Sequence, residues 1–474
     1  MSAIKFGTDG WRAVIAEDYT YANLTTVTRA TAAWVHDQAE AGHGDGSVVI
    51  GYDTRFQGDA FARHVAAVMA SSGVRVRLAD DIATTPAVSW AAMDGGHTAG
   101  IVVTASHNPP KYNGFKIKSH EGGPATPEMI ADVEARLDDA EAAYEARPYD
   151  DLVDEGLIET FDLRGAYVKL LRKRVDMDAI KGTSLRVAYD AMYGAGQGIV
   201  SELLGKPRVV ELHGSRNPGM DGQAPEPIEK NLGELLRAVV DETCAVGLAT
   251  DGDADRIGLV DEEGVFVDSH KILALLVKYL HVEKGLRGDV VKTFSTTDML
   301  DRMGEVYGLK VVTTPIGFKY VGPKMVEGDV LVGGEESGGM AVKGHIPERD
   351  GLFIGLTVVE MMVKRERTLS GLVRELMEEF GPHYQSRTDL HTTPERKEAV
   401  LAELAEGLSE VDGKPVTKSE ALDGFKFRVD GGWLLFRPSG TEPVLRVYSE
   451  AASQEAADAL VAWGVGMVNE GAAA

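Results

Sequence analysis

Short apolar runs, each closed by a polar or glycine-rich loop and followed by a stretch of helical period, recur along this chain. They restrict its fold more than any other feature. Residues 48–52, 101–103, 185–189, 245–249, 288–293 and 330–332 read as buried strands. Residues 24–36, 61–69, 167–175, 232–240 and 271–281 carry apolar side chains at helical spacing. Strands alternating with helices imply a largely parallel, layered α/β sheet. Three successive units of similar size suggest a repeated architecture. A smaller last unit reads as helix 399–406, strands 424–429, 433–436 and 444–448, and helix 454–467. The expected boundaries are 1–155, 156–265, 266–380 and 381–474. The polar stretches near 145–160 and 381–395 read as linkers.

With 474 residues the chain has room for three or four domains. Its 49 basic and 74 acidic residues leave a formal charge of −25, which repels phosphate backbones and anionic lipid. Neither a nucleic-acid nor a membrane partner is expected. The single cysteine, Cys244, lies in an apolar segment and reads as a small core residue. The first residues lack the apolar core of a signal peptide. The nearest approach to a membrane span, 352–363, is interrupted by Glu360. A soluble cytoplasmic protein is expected.

Five loops hold the residues that suggest chemistry. Thr104-Ala105-Ser106-His107-Asn108-Pro109-Pro110 follows a buried strand, and its prolines forbid a helix, so Ser106 sits in a loop at a strand end. Asp251, Asp253 and Asp255 alternate directly after another buried strand. Three carboxylates this close repel one another unless a cation neutralises them, and an all-oxygen set favours magnesium or calcium. A helix-loop-helix calcium site fails because Arg256 stands where its glycine is required. An aspartyl nucleophile at Asp251 with Asp253 as acid, and a merely solvated acidic turn, stay open. Gly333-Gly334-Glu335-Glu336-Ser337-Gly338-Gly339 allows close backbone approach, with Glu335 and Ser337 suited to vicinal hydroxyls. Arg437-Pro438-Ser439-Gly440-Thr441-Glu442-Pro443 offers an anion nest and a bidentate clamp without a Walker lysine. Gly7-Thr8-Asp9-Gly10-Trp11-Arg12 reads as a tight turn that presents an arginine fork. Gly194-Ala195-Gly196-Gln197-Gly198 misses the dinucleotide fingerprint by one position and reads as a helix start packed on a strand. Asp350 is placed to cap the apolar helix that follows.

Taken together and in their order along the chain, from Gly7–Arg12 to Arg437–Pro443, the five loops resemble those of the α-D-phosphohexomutase family, the phosphoglucomutases and phosphomannomutases. The resemblance spans nearly the whole chain. It implies three similar mixed-sheet α/β domains plus a smaller C-terminal α+β domain around a central cleft. It implies interconversion of hexose 1-phosphate and hexose 6-phosphate through a phosphoserine and a 1,6-bisphosphate, with glucose favoured by the Glu-Glu-Ser form of the sugar loop. Phosphomannomutase or phosphoglucosamine mutase activity, an aspartyl-phosphate phosphatase and a non-catalytic sugar-phosphate sensor are the alternatives. By the same resemblance Ser106 carries the phosphoryl group, and Asp251, Asp253 and Asp255 bind Mg2+ with a Ser106 oxygen. Arg12, Lys116, Arg256 and His107 surround the reacting group. Glu335, Ser337, Lys319, His345, Arg437, Ser439, Gly440 and Thr441 bind substrate. Glucose 1,6-bisphosphate is the implied activator, and a monomer or homodimer the implied state. Some family members have histidine where this chain has Gly339, so Lys116, His107 and His345 remain the candidate acid/base groups.

Overall fold

A computed structural model describes residues 4–7, 9–140, 144–438 and 444–470. The chain forms two compact units, one from Met1–Asp289 with Gly317–Leu372 and the other from Val290–Ile316 with Val373–Ala474.

In the first unit a six-stranded sheet runs in the order Trp11–Val14, Tyr112–Ser119, Ala99–Val103, Ser47–Tyr52, Arg75–Ala79, Ile158–Phe161. The last four strands are mutually parallel, while the first two form antiparallel pairs. Helices Tyr21–Glu40 and Gly58–Ser71 contribute Leu24, Val27, Trp34, Phe61 and Val65 to its core. The helix Thr85–Asp94 shows no apolar period, because its apolar residues run around the whole helix; its one local signal is the start, where Thr84 caps it by accepting from Ala87 N–H and Pro86 follows. The stretch near 145–160 is not a linker. It forms helix Tyr149–Asp154 and the edge strand Ile158–Phe161. Two side chains, Leu152 at 0% and Ile158 at 1% exposure, suffice to seat it, too few for a periodic pattern in an acidic segment.

The next sheet has the order Phe266–Val267, Ile257–Val260, Val246–Thr250, Val187–Asp190, Val209–Leu212, parallel in its last three strands and antiparallel in the first three. The glycine run opens helix Ile199–Leu204 from Gly198 at φ 70°, and a Cβ on Gly196 would meet Tyr189 Oη at 2.2 Å, so it packs on a strand as expected. Beyond it, helix Ser269–Lys278, helix Phe318–Glu327 and the hairpin of Val330–Gly334 with Met340–Val342 precede the buried helix Gly351–Arg365. Asp350 caps that helix, accepting from Phe353 N–H at 2.9 Å. Glu360, buried in it, accepts from Tyr279 Oη (2.6 Å) and Asp176 N–H (2.7 Å). Among the described residues no helix is long and apolar enough to cross a membrane.

The second unit is built on an antiparallel sheet ordered Tyr384–His391, Val444–Ala451, Gly432–Pro438, Phe425–Val429, Lys418–Glu420. Helices Pro394–Glu406 and Gln454–Glu470 cover one face through Val400, Leu404, Leu460 and Val461. On the other face Trp433, Leu435 and Tyr448 pack against Phe294, which directly follows strand Asp289–Thr293, the parallel partner of Val311–Thr314. The 381–395 stretch is therefore an eight-residue edge strand rather than a linker. Its polar side chains suit a half-exposed edge, and its backbone pairs throughout with Val444–Ala451.

Candidate active site

Ser106 lies in the connection between the antiparallel strands Ala99–Val103 and Tyr112–Ser119. Its backbone is left-handed (φ 52°), an uncommon state for a residue with a Cβ, and it is 1% exposed. Its Oγ donates to Asp251 Oδ2 at 2.7 Å and lies 3.4 Å from His107 Nδ1. Burial and the cations Arg256, Arg12, Lys116 and Arg55 hold the His107 ring well below the usual histidine range.

Asp251, Asp253 and Asp255 are each fully buried, in the turn between strands Val246–Thr250 and Ile257–Val260. The left-handed Ala254 (φ 60°) sharpens that turn, and Asp251 Oδ1 accepts from Asp255 N–H (3.0 Å) and Arg256 N–H (3.1 Å). One carboxylate oxygen from each of the three lies within 4.8 Å of the others. Asp253 Oδ2 accepts from Thr85 Oγ1 (2.5 Å) and Lys116 Nζ (2.7 Å), and Asp255 Oδ2 pairs with Arg349 (2.7 Å). The remaining oxygens, Asp253 Oδ1 and Asp255 Oδ1, are buried without any hydrogen-bond partner. Such orphaned carboxylate oxygens are costly unless a cation takes them, so a hard divalent ion fits this set. Burial and the two neighbouring carboxylates push Asp251 well above the ordinary range. At Asp253 burial acts the same way but is outweighed by Lys116 and Thr85, and the carboxyl is held low.

Lys116 and Lys118 point to one side of strand Tyr112–Ser119, both fully buried. Lys116 Nζ also pairs with Asp255 (3.2 Å) and Asp9 (2.7 Å), and these carboxylates outweigh burial to keep it an ammonium. Lys118 bridges Asp9 (3.3 Å) and Glu348 (2.8 Å). Arg349 connects three loops, reaching Asp9 (2.5 Å), Asp255 (2.7 Å) and Glu335 (3.4 Å). Asp9, Lys118, Glu348, Arg349 and Thr85 were not among the sequence candidates. The charged run Glu348-Arg349-Asp350, wedged between apolar segments, was the available signal.

Of the predicted residues, Arg12 donates to Asn108 Oδ1 at 2.7 Å beside the Ser106 loop. Arg256 is 9% exposed, 3.7 Å from Glu226, and its Nε is buried without a partner. The metal-loop strand is stitched to the 335–339 turn by Ile257 N–H donating to Gly338 O at 3.1 Å. In that turn Ser337 Oγ donates to Glu335 Oε1 at 2.8 Å, and Glu335 is 5% exposed. Lys319 shares a cavity of about 180 Å³ with Asp9, Gly7 and Gly10. His345 does not join the group. Its ring is 1% exposed, bonded to Asp350 Oδ2 at 2.8 Å and stacked on Phe353 at 4.0 Å. The helix cap holds one edge of the ring, and His345 Nδ1 is buried without a hydrogen-bond partner. Arg437 is the penultimate residue of strand Gly432–Pro438, with its Nε donating to Asp423 at 3.2 Å. Ser439, Gly440 and Thr441 lie outside the described residues, as does Thr8.

Family models described as phosphoglucomutase/phosphomannomutase, alpha/beta/alpha domains I, II and III, match residues 3–144, 165–264 and 268–380, and the C-terminal domain of the same family matches 392–462. A phosphoglucomutase/phosphomannomutase of Thermococcus kodakarensis is 34% identical over 425 residues, 89% of this chain and 90% of its own. A probable phosphoglucosamine mutase of Pyrococcus abyssi is 31% identical over 459 residues, 96% of each chain. The crystal structure of a Thermus thermophilus protein assigned as a phosphomannomutase superposes with a TM-score of 0.85 at 36% identity, covering 99% of both chains.

Proposed function

The chain belongs to the phosphoglucomutase/phosphomannomutase family and is a phosphohexomutase, and from that premise we propose that its preferred pair is α-D-glucose 1-phosphate and 6-phosphate, exchanged through phosphorylated Ser106. The carrying observation is that Ser106 Oγ lies 2.7 Å from Asp251, next to two buried carboxylate oxygens that have no partner. Asp251, Asp253 and Asp255, together with phosphorylated Ser106, would hold Mg2+, which would supply charge neutralisation for the phosphoryl group.

In the first half-reaction the bond between Ser106 Oγ and phosphorus breaks as a bond forms from phosphorus to the free hydroxyl of the hexose phosphate. The hydroxyl proton passes by way of His107, whose Nδ1 is 3.4 Å from Oγ, to the departing Ser106 oxygen, which is released as the neutral hydroxyl. Lys116 stays charged because its ammonium is already shared among Asp9, Asp253 and Asp255. With Arg12 and Arg256 it offsets the charge of a dianionic phosphoserine. The resulting glucose 1,6-bisphosphate turns over and returns its other phosphate to Ser106. Glu335 and Ser337 hold sugar hydroxyls and Lys319 a substrate oxygen. Arg437 with residues 439–441 grips the phosphate that is not being transferred.

The test compares turnover of glucose, mannose, glucosamine and pentose 1-phosphates with a trace of bisphosphate, and maps the protein's own phosphate. Glucose 1-phosphate should be fastest, and an acid-stable phosphate should sit on residue 106. A hydroxylamine-labile phosphate on Asp251 would replace this reading by a phosphatase. A faster glucosamine 1-phosphate would give the substrate assignment to the second reading, which the naming of the Pyrococcus relative favours.

A further inference from the structure

The side chain of Arg55 is fully buried and takes no part in the chemistry just described. It follows strand Ser47–Tyr52, and the guanidinium reaches beneath the Ser106 loop. Nη2 donates to the carbonyls of Ser106 (2.7 Å) and Asn108 (2.6 Å), and Nη1 to those of Pro109 (2.9 Å) and Tyr112 (2.9 Å). Four carbonyl dipoles thus converge on one cation. Without it their oxygens would face one another in a dry interior, where unsatisfied acceptors are costly.

The other end of the Ser106 peptide is tied to the same pair. Arg55 Nε donates to Asp53 Oδ2 at 3.2 Å, and that oxygen accepts from Thr104 Oγ1 at 2.5 Å. Thr104 Oγ1 in turn accepts from Ser106 N–H at 2.9 Å. Both backbone polar groups of the left-handed residue are therefore held by Asp53 and Arg55, one directly and one through a hydroxyl. The Ser106 carbonyl also lies over the aspartate loop, close enough that a Cβ built on Gly252 would be 2.4 Å from it. A shift of this carbonyl would move the serine and the metal loop relative to each other.

We infer that Arg55 is a positioning residue for phosphoryl transfer: with Asp53 and Thr104 it fixes the strained Ser106 backbone so that Oγ faces the aspartate loop. The strain of a non-glycine left-handed residue is the kind that surrounding bonds must impose. Lysine preserves the charge at this position but cannot serve four carbonyls in one plane. The inference rests on the phosphoserine reading.

The test uses the full-length protein with Arg55→Lys, Arg55→Met, Thr104→Val and Thr104→Ser. In Arg55→Lys and Thr104→Val, kcat should fall at least 30-fold while KM for glucose 1-phosphate stays within threefold. Phosphate uptake at residue 106 from glucose 1,6-bisphosphate should slow by the same factor as kcat. Thr104→Ser, which keeps the hydroxyl, should turn over like the parent, and Arg55→Met should be slower than Arg55→Lys. Turnover of Arg55→Lys within threefold of the parent overturns the inference. So does unfolding of the Arg55 variants, or a loss in which KM, kcat and melting temperature move together, since these assign Arg55 to the fold alone. A parent that takes up no phosphate at residue 106 overturns the phosphoserine reading itself, and the two failures are thereby distinguished.

Discussion

Lys116 Nζ sits 2.7 Å from Asp253 Oδ2, and both side chains are completely withdrawn from solvent. Here one ammonium faces three carboxylates, those of Asp9, Asp253 and Asp255. Lys116→Met leaves these acids without that cation, and breaking a buried pair in this way costs about 3–5 kcal/mol. Mg2+ should recover much of the loss. The melting temperature of the variant should therefore rise further on adding magnesium than that of the parent, while kcat falls about 100-fold or more through lost transition-state neutralisation. Thermal melts with chelator and with magnesium, alongside turnover, check both halves.

Gly339 leaves the space that Arg349 fills. A Cβ there would lie 2.3 Å from Arg349 Cδ and 3.0 Å from Glu335 Oε1. Gly339→Ala should destabilise the protein by about 1–3 kcal/mol through overpacking. Because Arg349 also reaches Glu335 and Asp255, KM for the sugar phosphate should rise as well. Urea unfolding and substrate saturation curves measure the two effects.

His213 Nδ1 is 2.8 Å from Asp190 and its Nε2 is 3.5 Å from Glu234. The bond to Asp190 raises the ring above its ordinary value of 6.5, against burial, with both carboxylates adding to the rise. A histidine whose folded value is raised stabilises the fold fully below the unfolded value, and that contribution is lost as pH rises through the folded one. His213→Gln should therefore be less stable than the parent at pH 6, by about 1 kcal/mol for a charge-assisted bond, and equal to it once the raised value is passed. Denaturant midpoints across pH 5.5–9 reveal the convergence.

Lys426 is 2% exposed, with its Nζ 4.1 Å from the Trp433 ring centre and 4.5 Å from that of Phe294. Burial brings its pKa down from 10.5 to about 8, with Asp298 opposing and Lys292 and Arg428 assisting. Between those two values the unfolded chain binds one proton more than the folded one, so stability should climb as pH rises through that window. Lys426→Met should abolish the climb and stabilise the protein at pH 7 by about 1–3 kcal/mol, the desolvation relieved less the cation–π attraction lost. Thermal or urea unfolding from pH 7 to 10.5 reads both changes.

Much of this was visible in the residues. Ser106 and the three aspartates stood out because each group closes a buried apolar strand, and prolines or adjacent like charges at such a place demand an explanation. The helix after Asp350 was legible from its cap. What escaped is what long-range packing decides. Arg349 is separated by 340 residues from its partner Asp9, and no local pattern encodes that meeting. His345 has the chemistry of a catalytic group, yet Asp350 and Phe353 enclose it, and only the fold reveals that. The edge strands Ile158–Phe161 and Tyr384–His391 were missed because an edge needs backbone partners more than apolar side chains.

The second compact unit draws Val290–Ile316 from mid-chain and Val373–Ala474 from its end. Phe294 and Ile316 acquire the rings of Trp433 and Tyr448 only when residues 433–448 have been made. At about 5–20 residues per second, a nascent chain waits several seconds or more with this apolar pair uncovered. Premature termination anywhere before Trp433 makes that wait permanent, so truncated products should present a sticky surface to holdase chaperones and proteases even where every upstream strand has found its neighbours.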